Sequence, residues 1–127
     1  MASHVRHGRG SVRPYLFGQY ELPEFLEQVF GASTIERHET GPRSAHVELE
    51  LGDSVIVVEA GELPPDVDPT TASVYVYVED TDSVYARALE AGAASIAAPE
   101  DKHYGERSAG IRDAFGNTWW ISTYQGS

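Results

Sequence analysis

His46 and Glu48 stand two residues apart in the run His46-Val-Glu-Leu-Glu-Leu51, a spacing that aims both side chains to one side of a strand. An imidazole beside a carboxylate can move a proton where the two come within hydrogen-bond reach. The same pair also suits a partly solvated strand face on which a histidine simply pairs with its neighbour. Glu48, Glu50 and Glu59 would together draw a cationic guest into a desolvated pocket, or they belong to the wet surface of an acidic chain. Tyr75 and Tyr77, again two apart, offer stacking walls for a planar ligand together with Trp120. Alternating aromatics equally fill a half-open core or a dimer interface. Arg13 and Arg107 suit the carboxylate or phosphate of a ligand, or else neutralise those glutamates internally, since an unpaired buried guanidinium is costly. The stretch His103-Tyr-Gly-Glu-Arg107 reads as a loop from which Tyr104 and Arg107 close over a site. His4 and His7, three apart in a basic stretch, are placed to pick up a stray metal ion or to do nothing.

The chain of 127 residues is long enough for one domain of ordinary size. With 41% hydrophobic and 23% charged residues it is expected to fold rather than stay disordered. Nine Lys and Arg against twenty Asp and Glu leave a net charge of −11, which repels phosphate backbones and argues against nucleic-acid binding. The absence of cysteine removes disulfides, thiolate metal sites and cysteine nucleophiles, and fits a cytoplasmic setting. No apolar run is long enough to span a membrane, and the basic opening MASHVRHGRGS lacks the apolar stretch of a secretion signal.

These residues need a scaffold, and a weak internal duplication describes one. EQVFGASTIERHE is answered by ALEAGAASIAAPE, and Gly52-Asp-Ser-Val-Ile-Val-Val58 by Gly116-Asn-Thr-Trp-Trp-Ile-Ser122, at offsets of roughly sixty residues. Each half reads strand, helix, strand, strand, strand. In the first, Val12 to Phe17 is β-prone, and Leu22 to Phe30 places Phe25, Leu26, Val29 and Phe30 on one helical face, with Pro23 suited to the first turn and Gly31 to the stop. His46 to Leu51 alternates, Gly52-Asp53 signals a hairpin, and Val55 to Val58 is a continuous apolar run. The second half opens with Ser73 to Val78, continues into a helix with Asp80 among its cap candidates and Val84, Ala88 and Leu89 as its apolar stripe, and adds strands near Ala109–Arg112 and Thr118–Thr123. The turn Asp113-Ala-Phe-Gly-Asn117 joins those two strands. The expected organisation is a flexible tail over 1–11, a first module over 12–60, a linker over 61–71 and a second module over 72–124. Strand parity assigns Val47, Leu49, Val74, Val76 and Val78 to the helix side, leaving His46, Glu48, Tyr75, Tyr77 and Trp120 on the other face as an acidic, aromatic cleft.

Six fragments in this order, Arg13-Pro-Tyr-Leu16, Phe30-Gly-Ala32, His46 to Ile56, Val76-Tyr-Val-Glu-Asp80, Glu100 to Arg107 and Arg112 to Trp119, resemble the vicinal oxygen chelate superfamily. That superfamily includes glyoxalase I, bleomycin-resistance proteins and extradiol dioxygenases, and the likeness is to its bacterial glyoxalase-like branch related to the phosphonate-operon B protein. The resemblance implies an α+β fold of two βαβββ modules forming a curved, mixed-sheet cleft. It also implies four metal-ligand positions on the first and last strands of the modules, which fall near Arg13, Val57, Ser73 and Trp120. None of those residue types is a metal ligand, and Glu59 alone is placed to substitute for one. The implied function is therefore that of a metal-free protein that sequesters a small molecule, a cationic aromatic or glycopeptide antibiotic, as a homodimer. Tyr15 and Val57 join the ligand-binding residues already named. The alternative is an isomerase, epimerase or lyase that uses His46 with Glu48, or a divalent metal held in an atypical site.

Overall fold

A computed structural model describes residues 4–63 and 65–126. After a short 3-10 turn at Arg6–Gly8, the chain forms β1 (Tyr15–Gly18), α1 (Leu22–Phe30), β2 (Ser33–Gly41), β3 (Ser44–Leu51) and β4 (Ser54–Gly61). The same order then recurs as β5 (Ser73–Tyr77), α2 (Thr81–Glu90), β6 (Ala94–Lys102), β7 (Glu106–Arg112) and β8 (Thr118–Tyr124). The strands make two four-stranded sheets, ordered β1-β4-β3-β2 and β5-β8-β7-β6, in which the outer pairs β1/β4 and β5/β8 are parallel and the rest antiparallel. This is the two-module vicinal oxygen chelate fold. No helix among the described residues is long and apolar enough to cross a membrane.

Two compact units carry these sheets. The first comprises 1–27 and 31–70; the second comprises 71–127 together with 28–30, the last turn of α1. Within the second unit, Arg87 donates to the Val29 carbonyl (3.0 Å), and the Phe30 ring lies 4.8 Å from that of Trp119. Helix α1 starts with Pro23 in its first turn and ends at Gly31, and its apolar face buries Leu22, Phe25, Leu26 and Val29. In α2 the Asp80 carboxylate accepts the Ser83 amide (3.2 Å), closing the first turn as its side-chain chemistry predicts. Val84 and Ala88 are buried, whereas Leu89 remains exposed. The strand alternation holds: Val47, Leu49, Val76, Ala109, Ile111, Trp119 and Ile121 are buried on one side of their strands.

Three local expectations change. Strand β1 begins at Tyr15 rather than Val12: its pairing with β4 starts at Tyr15 opposite Val57, and Pro14 just before it has no amide to give to a ladder. Strand β7 begins at Glu106, three residues before the expected Ala109, so the loop over 103–107 shrinks to the turn His103–Gly105. Gly105, at φ +81°, makes that reversal tight, and its amide donates to the Lys102 carbonyl (3.2 Å). Of the expected loose tail over 1–11, residues 1–3 lie outside the described residues, while Arg6, His7 and Arg9 tie the segment to the first sheet by ion pairs. The turn 113–117 is as read, and it is also a polar core. Asp113 accepts hydrogen bonds from the amides of Phe115 and Asn117 and from the Trp119 indole (2.8 Å), while Asn117 accepts from the Ala72 amide (2.9 Å).

Candidate functional site

Each unit presents the sheet face that points away from its buried strand side, and most of the candidate residues, Arg107 excepted, belong to one of these faces. In the first unit the pairing register makes two cross-strand rows: Tyr15, Val57, Glu48 and Glu36 in one, and Phe17, Glu59, His46 and His38 in the next. The structure thus brings together Tyr15, His46, Glu48, Val57 and Glu59. It adds Glu36 and His38 from β2, which sequence reasoning missed because that segment shows no alternation.

Glu48 is the buried carboxylate of this face, 4% exposed, and nitrogen groups surround it. Arg13 Nη1 approaches to 3.3 Å, His7 Nε2 to 3.1 Å, His46 Nε2 to 3.5 Å and Arg6 Nε to 3.8 Å. Glu36 meets Arg6 (3.0 Å), His7 (3.1 Å) and His38 (2.6 Å), and the hydrogen bond from His38 is the main cause that holds its carboxyl below the usual range. Glu59 bonds His46 Nδ1 (2.6 Å) and accepts from the Tyr15 hydroxyl (2.9 Å). Burial, reinforced by that carboxylate, raises the Tyr15 phenol. Arg9 pairs with Glu50. Arg13 also donates to the carbonyls of Arg6, Arg9 and Gly10, so one guanidinium folds residues 6–13 back over the sheet. His46 therefore has Glu59, not Glu48, as its close partner. The acidic face read from the sequence is, in this unit, answered by the chain's own cations.

The second unit is different in kind. Tyr75, Trp120 and Gly110 form the row equivalent to Tyr15, Val57 and Glu48. Tyr75, Tyr77, Tyr104, Trp120 and Tyr124 are all exposed aromatics. Tyr75 and Tyr77 rings meet edge-on at 5.6 Å. Both phenols donate to Glu106, Tyr77 at 2.5 Å, which lowers the Glu106 carboxyl and raises both phenols, that of Tyr77 to about 12. Glu106 was legible only as part of a loop; the strand that begins with it places it on this face. Ser108 and Ser122 pair through their hydroxyls at 2.7 Å in the same unit. A shallow groove runs along Tyr77, Val78, Glu79, Thr123 and Tyr124. Arg107 is not brought to this face. It points the other way and pairs with Asp82 (2.8 Å) and Asp101 (3.2 Å).

The metal question turns on donor chemistry. At the four positions the resemblance implies, the Arg13 guanidinium donates to carbonyls and Glu48, Val57 is apolar, and the Trp120 indole donates to the Ser73 hydroxyl (3.2 Å). These residues do not fit a divalent metal. Among the described residues one other group of donors, His7, Glu36 and Glu48, has ligand atoms within 4.8 Å of one another. Arg6 and Arg13 already neutralise its two carboxylates, so this group too is a poor match for a dication.

A family model described as the Glyoxalase/Bleomycin resistance protein/Dioxygenase superfamily matches residues 22–121. The chain belongs to this superfamily. An uncharacterized protein of Mycobacterium bovis is 36% identical over 56 residues, which cover 44% of this chain and 37% of that protein. The matched stretch is thus little more than a third of the curated relative. Among solved structures, TioX from a Micromonospora species superposes with a TM-score of 0.71 at 24% identity, covering 93% of this chain and 98% of that one. The PhnB protein from Bacillus cereus gives 0.68 at 13% identity, covering 89% and 98%. The fosfomycin resistance protein FosX from Mesorhizobium loti gives 0.64 at 17% identity, covering 94% and 93%. At such identities these superfamily likenesses concern the fold.

Proposed function

We propose that this superfamily member is a metal-independent small-molecule-binding protein that sequesters an aromatic, cationic compound of the antibiotic kind on the open face of its second unit. The observation that carries the reading is the row Tyr75–Trp120–Gly110, where two exposed rings stand side by side on β5 and β8 and the Trp120 ring lies over Gly110. Exposed rings side by side on adjacent strands make a stacking surface. The fosfomycin resistance protein among the structural neighbours supports a resistance role. A homodimer in the cytoplasm belongs to the same proposal, and sedimentation equilibrium tests its stoichiometry.

The test is a tryptophan-fluorescence titration of metal-stripped protein against cationic aromatic antibiotics. Saturable quenching, lost in Tyr75→Ala and unchanged by added nickel, zinc or manganese, supports sequestration. A response that needs the metal overturns it. A second reading rests on the His46–Glu59 pair at 2.6 Å, in which a carboxylate orients an imidazole as an enzyme's general base requires. Turnover of 2-oxoaldehyde adducts that vanishes in a folded His46→Ala variant would establish a glyoxalase-like isomerase, epimerase or lyase instead.

A further inference from the structure

We propose that Glu106 is the cation-recognising group of the second unit, so that the ligand's positive centre is a quaternary or protonated amine seated at Glu106 beside the rings of Tyr75 and Tyr77. The inference rests on the binding role proposed above and adds to it the chemical class of the ligand and the residue that reads its charge. Glu106 is 7% exposed and receives two phenolic hydroxyls, both as donors, so its carboxylate is ionised and nearly out of water. Among the described residues no Lys, Arg or His pairs with it. Lys102, its partner across β6 and β7, gives its ammonium to Glu100 (2.5 Å). Arg107, the next residue, points to the other side of the strand and is taken up by Asp82 and Asp101.

Removing a carboxylate from water without a counter-charge is expensive, and phenol donors lower that cost without cancelling the charge. Two donors leave lone pairs on the carboxylate free. Aromatic faces attract an alkylammonium through their quadrupoles, and the Tyr75 and Tyr77 rings, 5.6 Å apart, both reach this carboxylate through their hydroxyls. The first unit supplies the comparison. There the buried carboxylate of the equivalent sheet face, Glu48, is met by Arg13, His7 and Arg6 from the same chain. In the second unit that place is left for a cation from outside.

The experiment uses the full-length protein and two probes that share a phenyl ring, benzyltrimethylammonium and uncharged benzyl alcohol, followed by Trp fluorescence and by amide shifts in β5 and β8. The cation is expected to bind at least about tenfold more tightly than the alcohol. Glu106→Gln is expected to abolish that preference while alcohol binding stays within about twofold of the original protein. Should Glu106→Gln fail to fold, the Glu106 side-chain carboxyl carbon resonance of the unmodified protein is followed instead, and it is expected to shift with the cation and not with the alcohol. An unchanged preference in folded Glu106→Gln, or a carboxyl resonance that moves no more with the cation than with the alcohol, overturns the assignment to Glu106 and leaves the aromatic face standing. If neither probe binds the unmodified protein at millimolar concentration, the binding role of that face falls as well.

Discussion

A carboxylate can be satisfied in two ways on these sheets, and the choice decides what its residue is able to do. Glu48 is surrounded by nitrogen groups of its own chain, whereas Glu106 is held by two phenols and keeps its charge uncancelled. The hydrogen bond to Glu106 pushes the Tyr77 phenol up to about 12, so an alkaline absorbance titration should lose its highest step in Tyr77→Phe. The sign of the linkage follows: a raised phenol contributes stability that is complete below its ordinary value and disappears as pH rises through the folded value. The depressed Glu106 carboxyl contributes in the opposite sense, above the ordinary carboxylate range, and loses its contribution as pH falls. Urea melts at pH 7 and pH 3 should therefore differ more for the unmodified protein than for Glu106→Gln.

At the scale of strands and turns, two glycines are fixed by what lies against them. A Cβ on Gly61 would sit 1.9 Å from the Arg43 carbonyl oxygen at φ +96°, where an L side chain is already strained. Gly61→Ala should cost about 2 kcal/mol or more in a denaturant melt. A Cβ on Gly110 would meet the Trp120 ring at 2.6 Å. Gly110→Ala should cost about 1 kcal/mol, because the indole can swing outward, and should shift the emission of Trp120. Most of the elements were legible from periodicity and stop signals: α1 from its apolar face and Pro23, the β3–β4 hairpin from Gly52-Asp53, and α2 from Asp80. Parity likewise placed His46, Glu48, Tyr75, Tyr77 and Trp120 on the faces where they occur. What escaped was Glu106, since a polar run containing Gly105 looks like loop whether or not its last residues pair. Equally hidden was the role of Arg6 and His7, because ion pairs between residues some thirty positions apart leave no local pattern, whereas the pairing of Arg13 with a glutamate was one of its two open readings.

On the scale of the whole molecule, the two units repeat one topology and differ in how their open faces are covered. In the first, residues 6–13 lie over the sheet with His7 in the left-handed region at φ 66°, and Arg13 ties their carbonyls together. Arg13→Ala removes a partner from a carboxylate that is 4% exposed and should destabilise the protein by about 1–3 kcal/mol. Adding Glu48→Gln should restore part of that loss, the signature of a coupled pair in a double-mutant cycle. Both indoles, by contrast, belong to the second unit and occupy consecutive positions of β8, Trp119 wholly buried and Trp120 36% exposed. Alternation along a strand has thus built a paired optical reporter. Acrylamide should reach one emitter and spare its neighbour, so the unquenched fraction supplies an internal standard against which occupancy of the aromatic face can be read without any added label.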